Sequence, residues 1–97
     1  MKVTVQPAAA TELREAAKFY AERADQALGL ALIAEFERAL SFLSLNPELG
    51  AVWRGSARRF PLRRFPYNLV YQIKTDELRV IALAHQHRRP SYWTERS

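Results

Sequence analysis

Tyr67-Asn68-Leu69-Val70-Tyr71-Gln72-Ile73-Lys74-Thr75-Asp76-Glu77-Leu78-Arg79-Val80-Ile81-Ala82-Leu83-Ala84-His85 is the stretch that decides the fold. Tyr67, Leu69, Tyr71 and Ile73 recur every second residue, so they share one face of a strand. Thr75-Asp76-Glu77 then supplies a tight turn. Leu78 to His85 reads as the next strand of the same sheet, antiparallel to the first. Its run Val80-Ile81-Ala82-Leu83-Ala84 is apolar at every position, which predicts a strand buried on both faces and central in the sheet.

Upstream, the period of two starts at Ala57, where Phe60, Leu62 and Arg64 alternate with Arg59, Pro61 and Arg63. Pro61 has no N–H to give to a ladder, so this strand is expected at a sheet edge or at a bulge. Trp53 is expected in a loop before the sheet, capping the helical part. Further upstream the period becomes helical. Leu28, Leu32, Phe36, Ala39, Leu40 and Leu43 form a stripe on a helix that ends at Asn46-Pro47, because the residue before a proline is displaced from the α region. Glu35 and Arg38 are placed to pair on its other side. Leu13, Ala16, Ala17, Tyr20 and Ala24 mark an earlier helix over about residues 8–24, with Pro7 suited to its first turn. The short link between the two helices predicts an antiparallel hairpin. Lys2 to Gln6 alternates like a short strand and stops at Pro7.

The expected class is therefore α+β with the order β-α-α-β-β-β: a helical hairpin packed on one face of a small, mostly antiparallel sheet. The 97 residues make one domain, residues 1–97. No cysteine is present, so disulfides and thiolate metal sites are excluded. The N-terminus lacks a signal-peptide core and the longest apolar run, Ala27 to Ala34, is too short to span a bilayer, so a cytoplasmic protein is expected.

Charge divides the chain. Residues 1–50 hold five Lys/Arg against seven Asp/Glu, a net −2, whereas residues 51–97 hold ten against three, a net +7. Nine of those ten are arginine, whose planar fork pairs bidentately with carboxylate or phosphate, so an anionic partner is implied for the C-terminal half. The candidate docking residues are Arg54, Arg58, Arg59, Arg63 and Arg64, then Arg88 and Arg89. The alternative is a solvated basic edge. As neighbours on a strand, Arg63 and Arg64 would point to opposite sides, so only one of them could face a given partner.

His85 and His87 could share a face, but no third ligand of suitable spacing accompanies them, so no metal is expected. As an acid or base a histidine would suit RNA cleavage, with Tyr92 and Arg64 in support. No dedicated carboxylate stands beside the histidines, and the other reading of His85 is structural, at the end of its strand. Tyr92 and Trp93 could stack on bases, or could pin a C-terminal tail to the domain by apolar burial. Gly-rich phosphate loops and nucleophile elbows are absent, and no cofactor is expected.

Two strings carry a family resemblance. Arg63-Arg64-Phe65-Pro66-Tyr67-Asn68-Leu69-Val70-Tyr71 resembles the Arg-x-Phe-Pro-Tyr-x-Ile-x-Tyr stretch of RelE/ParE-type toxins. Ala82-Leu83-Ala84-His85-Gln86-His87-Arg88-Arg89-Pro90-Ser91-Tyr92-Trp93 resembles the Ala-x-x-His-x-x-Arg-x-Pro-x-Tyr-Trp ending of the ParE-like branch. Glu15-Ala16-Ala17-Lys18-Phe19-Tyr20 and Asn46-Pro47-Glu48-Leu49-Gly50 are similar in place as well. The resemblance implies the toxin of a type II toxin–antitoxin pair, neutralised by an antitoxin that wraps it. It implies DNA gyrase as the target in the ParE-like form. A RelE-like form would instead cut messenger RNA on the ribosome, and a third kind of member would only bind its antitoxin.

Overall fold

The computed structural model describes residues 1–87, 92–94 and 96. In chain order the elements are β1 (Lys2–Val5), α1 (Pro7–Arg23), α2 (Gln26–Leu45), β2 (Ala51–Arg54), β3 (Ala57–Pro61), β4 (Tyr67–Lys74) and β5 (Glu77–His85). One five-stranded sheet has the spatial order β1-β5-β4-β3-β2. β1 runs parallel to β5, and every other pair is antiparallel.

The helices form where the apolar stripes predict them. Pro7 opens α1, at a position where the missing N–H costs nothing. Asp25 is the N-cap of α2, its carboxylate accepting from Leu28 N–H at 2.8 Å. At the far end the Asn46 amide donates to Phe42 O at 3.1 Å. Gly29 lets the two helices meet, since a Cβ there would lie 2.6 Å from the Ala17 carbonyl oxygen.

The helical hairpin covers one face of the sheet. Leu32, Phe36, Ala39 and Leu43 from α2 and Ala9, Ala16 and Ala17 from α1 meet Leu69, Tyr71, Leu78, Val80 and Leu83. The opposite face holds a second apolar cluster of Ala57, Val70, Ile81, Ala82, Ala84 and Trp93, with Trp53 against it. A bulge explains the uninterrupted apolar run in β5. Val70 pairs with Ala82 while Tyr71 pairs with Val80, so Ile81 is an extra residue. Ile81 and Ala82 both join the second cluster, and Leu83 returns to the helical side.

Three expectations need correction. The sheet has one strand more than expected, because Ala51–Arg54 pairs with β3 as an edge strand. Trp53 belongs to that strand and caps no helix; its ring lies 5.3 Å from that of Trp93, on the face away from the hairpin. β3 is consequently an inner strand over Ala57–Arg59 and becomes an edge only at Phe60–Pro61, past the last β2 pair. Leu62 N–H donates back to Tyr67 O at 2.9 Å. The adjacent Pro61 nitrogen therefore faces the open side, where no donor is required.

Candidate functional site

Arg63 and Arg64 do not lie on a strand. β3 stops at Pro61, and both arginines are exposed in the loop that joins it to β4. The expected opposition of their side chains is thereby removed, because strand alternation does not apply there. α2 holds this loop from beneath. The Glu35 carboxylate takes the Arg38 guanidinium bidentately at 2.7 and 2.8 Å and also accepts the Arg63 backbone N–H at 2.7 Å. Arg64 sits at φ +71°, a left-handed conformation that costs a residue with a Cβ roughly 1–2 kcal/mol. Its guanidinium lies over the Phe65 ring at 5.6 Å and forms no ion pair among the described residues.

The Arg38 guanidinium beside Glu35 holds its carboxyl below the usual carboxylate range, burial opposes this, and the Arg63 N–H adds to the lowering. A folded-state value below the unfolded one favours the native state above about pH 4.5, and that contribution disappears as pH falls through the lower folded value. Glu35→Gln should therefore cost about 1–2 kcal/mol near neutral pH, scaled down because Arg38 is partly solvated. Urea unfolding should show the gap between variant and parent closing toward about pH 3. A gap that stayed constant would remove Glu35 as the anchor of the arginine loop.

The other arginines are dispersed. Arg58 Nη1 donates to Glu48 O and Gly50 O at 3.1 and 2.8 Å, so it ties the α2–β2 loop together. Arg59 is exposed and lies 4.7 Å over the Trp53 ring. Arg54 is exposed at the end of β2. Arg88 and Arg89 lie outside the described residues.

His85 closes β5 and His87 is exposed. His85 Nδ1 accepts the His87 backbone N–H at 3.2 Å, which puts the proton of the neutral ring on Nε2. A cavity of about 290 Å³ is lined by His85, Tyr67, Tyr92, Phe19, Glu12 and Glu15. No carboxylate stands beside the histidines in the sequence; the fold brings Glu12 and Glu15 to them from α1. Glu12 is occupied, accepting Leu83 N–H at 3.1 Å and Arg96 Nη1 at 3.0 Å. The same Arg96 nitrogen donates to Ile81 O at 3.0 Å. β1 pairs with β5 only as far as Val80, so Glu12 and Arg96 together cover the β5 edge beyond it. Burial pushes the Tyr67 phenol up, so it stays neutral. Of the two carboxylates on this cavity Glu12 is thus paired with Arg96, and Arg64 does not line the cavity. Among the described residues no three His, Asp or Glu side chains could hold a metal ion.

Trp93 is buried, at 1 % exposure, and Tyr92 is half-buried. Trp93 thus closes the sheet's second face and offers no ring to a base. Apolar surface remains exposed elsewhere. A groove of about 540 Å³ lies beyond the end of α2, lined by Met1, Asn46, Pro47, Glu48, Leu49 and Ile73. Leu45 next to it is 82 % exposed, and Leu49 and Phe42 are also exposed. One sign of this surface is local: Leu45 and Leu49 flank the helix stop, off the stripe that builds the core.

The model of the family described as ParE toxin of type II toxin-antitoxin system, parDE, matches residues 3–90. A solved structure described as a chromosomal ParDE TA system from P. aeruginosa contains a chain similar in fold, with a TM-score of 0.78 and 17% identity. The match covers 88% of this chain and 95% of that one. No curated protein matches the sequence.

Proposed function

This chain belongs to the ParE toxin family of type II toxin–antitoxin systems, and from that membership we propose that it arrests growth by binding DNA gyrase until a cognate antitoxin covers it. The observation that carries a binding mechanism is the arginine loop. A buried-side carboxylate on α2 fixes its backbone, and two exposed guanidiniums project from it. Such a preorganised cationic loop loses little freedom on docking. The His85 cavity, by contrast, lacks Arg64 in its lining, and its Glu12 is already engaged by Leu83 N–H and Arg96.

The antitoxin is a polypeptide with an apolar stretch for the groove beyond α2 and with Asp or Glu for Arg63 and Arg64. It neutralises the toxin by occupying the cations that gyrase would meet. The test is titration calorimetry with the product of the neighbouring gene. The parent chain should form a tight complex. Leu45→Glu, at a position too exposed to matter for folding, should weaken it about tenfold or more. Arg63→Glu with Arg64→Glu should weaken it further and slow association. No complex with the parent chain would end the toxin–antitoxin reading; a complex indifferent to all three changes would end this placement of the interface.

A further inference from the structure

β1 is an edge of the sheet, with β5 on one side and no strand on the other. Lys2 N–H donates to Asp76 O at 3.1 Å and Gln6 N–H to Val80 O at 2.9 Å. Main-chain groups alternate sides along a strand, so Lys2, Thr4 and Gln6 face β5. The N–H and C=O of Val3 and the N–H of Val5 face the open side, where no hydrogen bond holds them among the described residues. Edge strands are commonly blunted by a proline or a bulge. β1 has neither, and its register against β5 is regular from Lys2 to Val5.

α2 reaches past this edge. Its core stripe of Leu32, Phe36, Ala39 and Leu43 packs on the sheet. Its neighbouring face, Glu37, Leu40, Ser41 and Ser44, lines a cavity of about 280 Å³ together with Val3. Those four positions keep the spacing of one helix face, so α2 itself walls the space beside the open edge. Met1, two residues before Val3, lines the groove of about 540 Å³ beyond α2. A free main-chain row and two cavities at a two-residue interval match an extended segment, whose alternate side chains share a face. A helix laid there would carry its anchors three and four residues apart and would leave the row unbonded.

We propose that an extended segment of the antitoxin adds to the sheet beside β1, one aliphatic side chain resting on Leu40 and Val3 and the next in the groove at Met1. Lys2 is exposed at this edge, and Glu77 opposite it is already held by Arg79 at 3.3 Å. An Asp or Glu between the two aliphatic residues meets Lys2 on the other face, in keeping with the acidic partner assigned to Arg63 and Arg64. Antiparallel pairing with a second copy would bring that copy's α2 onto the same face, into the space this α2 holds. The open edge is a property of the free chain; only the antitoxin as its occupant rests on the toxin–antitoxin reading.

Amide hydrogen exchange, read residue by residue on the ¹⁵N-labelled chain, follows these main-chain groups directly. In the free chain Val3 and Val5 should exchange fast and Thr4, bonded into β5, slowly. In the complex with the product of the neighbouring gene, Val3 and Val5 should slow by about a hundredfold or more. Val3→Pro removes an outward donor and spares the β5 ladder. Ser41→Arg, at an exposed helix position, fills the cavity from α2. Each should weaken the complex about tenfold with Thr4 still protected; Ser41→Arg serves if the proline disturbs β1. A stoichiometric complex in which Val3 and Val5 exchange as in the free chain would overturn strand addition and leave the toxin–antitoxin reading standing. Protection that rises with the concentration of the free chain would give the edge to a second copy and overturn the antitoxin as its occupant. Failure of any complex to form would overturn both the reading and this proposal.

Discussion

Gly50→Ala is expected to destabilise the chain by about 3 kcal/mol, out of the 5–15 kcal/mol that a domain of this kind has in total. A Cβ at Gly50 would stand 2.5 Å from the Tyr71 hydroxyl, 2.7 Å from its Cε1 and 2.9 Å from its Cζ. Tyr71 is fully buried and cannot swing away. Its hydroxyl donates to Pro47 O at 2.6 Å and accepts Gly50 N–H at 2.9 Å, so the ring pins both ends of the α2–β2 loop. The alanine would break these bonds as well as crowd the ring. Tyr71→Phe isolates the polar part and should cost about 2 kcal/mol, because the Gly50 N–H loses its partner. Gly55→Ala is the control: no atom lies within 4 Å of its Cβ position, and only its φ of +55° opposes the change, at about 1 kcal/mol. Urea denaturation would rank the three. The loop is also the wall of the apolar groove, so Tyr71→Phe should loosen antitoxin binding while Gly55→Ala should not. A Gly50→Ala loss below that of Gly55→Ala would show that Tyr71 has room to move.

Trp93→Ala should cost about 3–5 kcal/mol, the range for a fully buried large aromatic. Its ring closes the cluster of Ala57, Val70, Ile81, Ala82 and Ala84, strand side chains that cannot fill the space it leaves. Trp93→Phe should cost about 1 kcal/mol only, since the smaller ring still covers the sheet and the replacement also removes an unpaired indole N–H. Thermal unfolding separates the two, because each kcal/mol moves the midpoint by about 4–8 °C at this size. Near-equal midpoints for Trp93→Ala and the parent would mean that the C-terminal segment does not seal the sheet in solution.

These two positions show how far the sequence could be read. Local periodicity located both helices and the β4–β5 hairpin, because one buried face dictates the spacing of apolar residues in each. β2 escaped since four residues with Val52 exposed and Trp53 half-buried make no alternation. The bulge at Ile81 shifts a face by one residue, which a strict period of two cannot express. It is nevertheless why Val80 to Ala84 is apolar throughout. The Arg-rich loop was legible as composition but not as geometry. Its anchor, Glu35, acts across 28 residues and reads locally as a mere partner of Arg38. Glu12 reaches Leu83 across 71 residues in the same way, so no spacing rule could bring carboxylates to His85.

Gyrase supercoiling of relaxed plasmid, measured with increasing amounts of the purified chain and then with antitoxin added, tests the central reading most directly. Inhibition should rise with the parent chain, fall with Arg63→Glu plus Arg64→Glu, and be relieved by antitoxin. Unimpaired supercoiling at large excess of a folded chain that binds its antitoxin would contradict gyrase as the target.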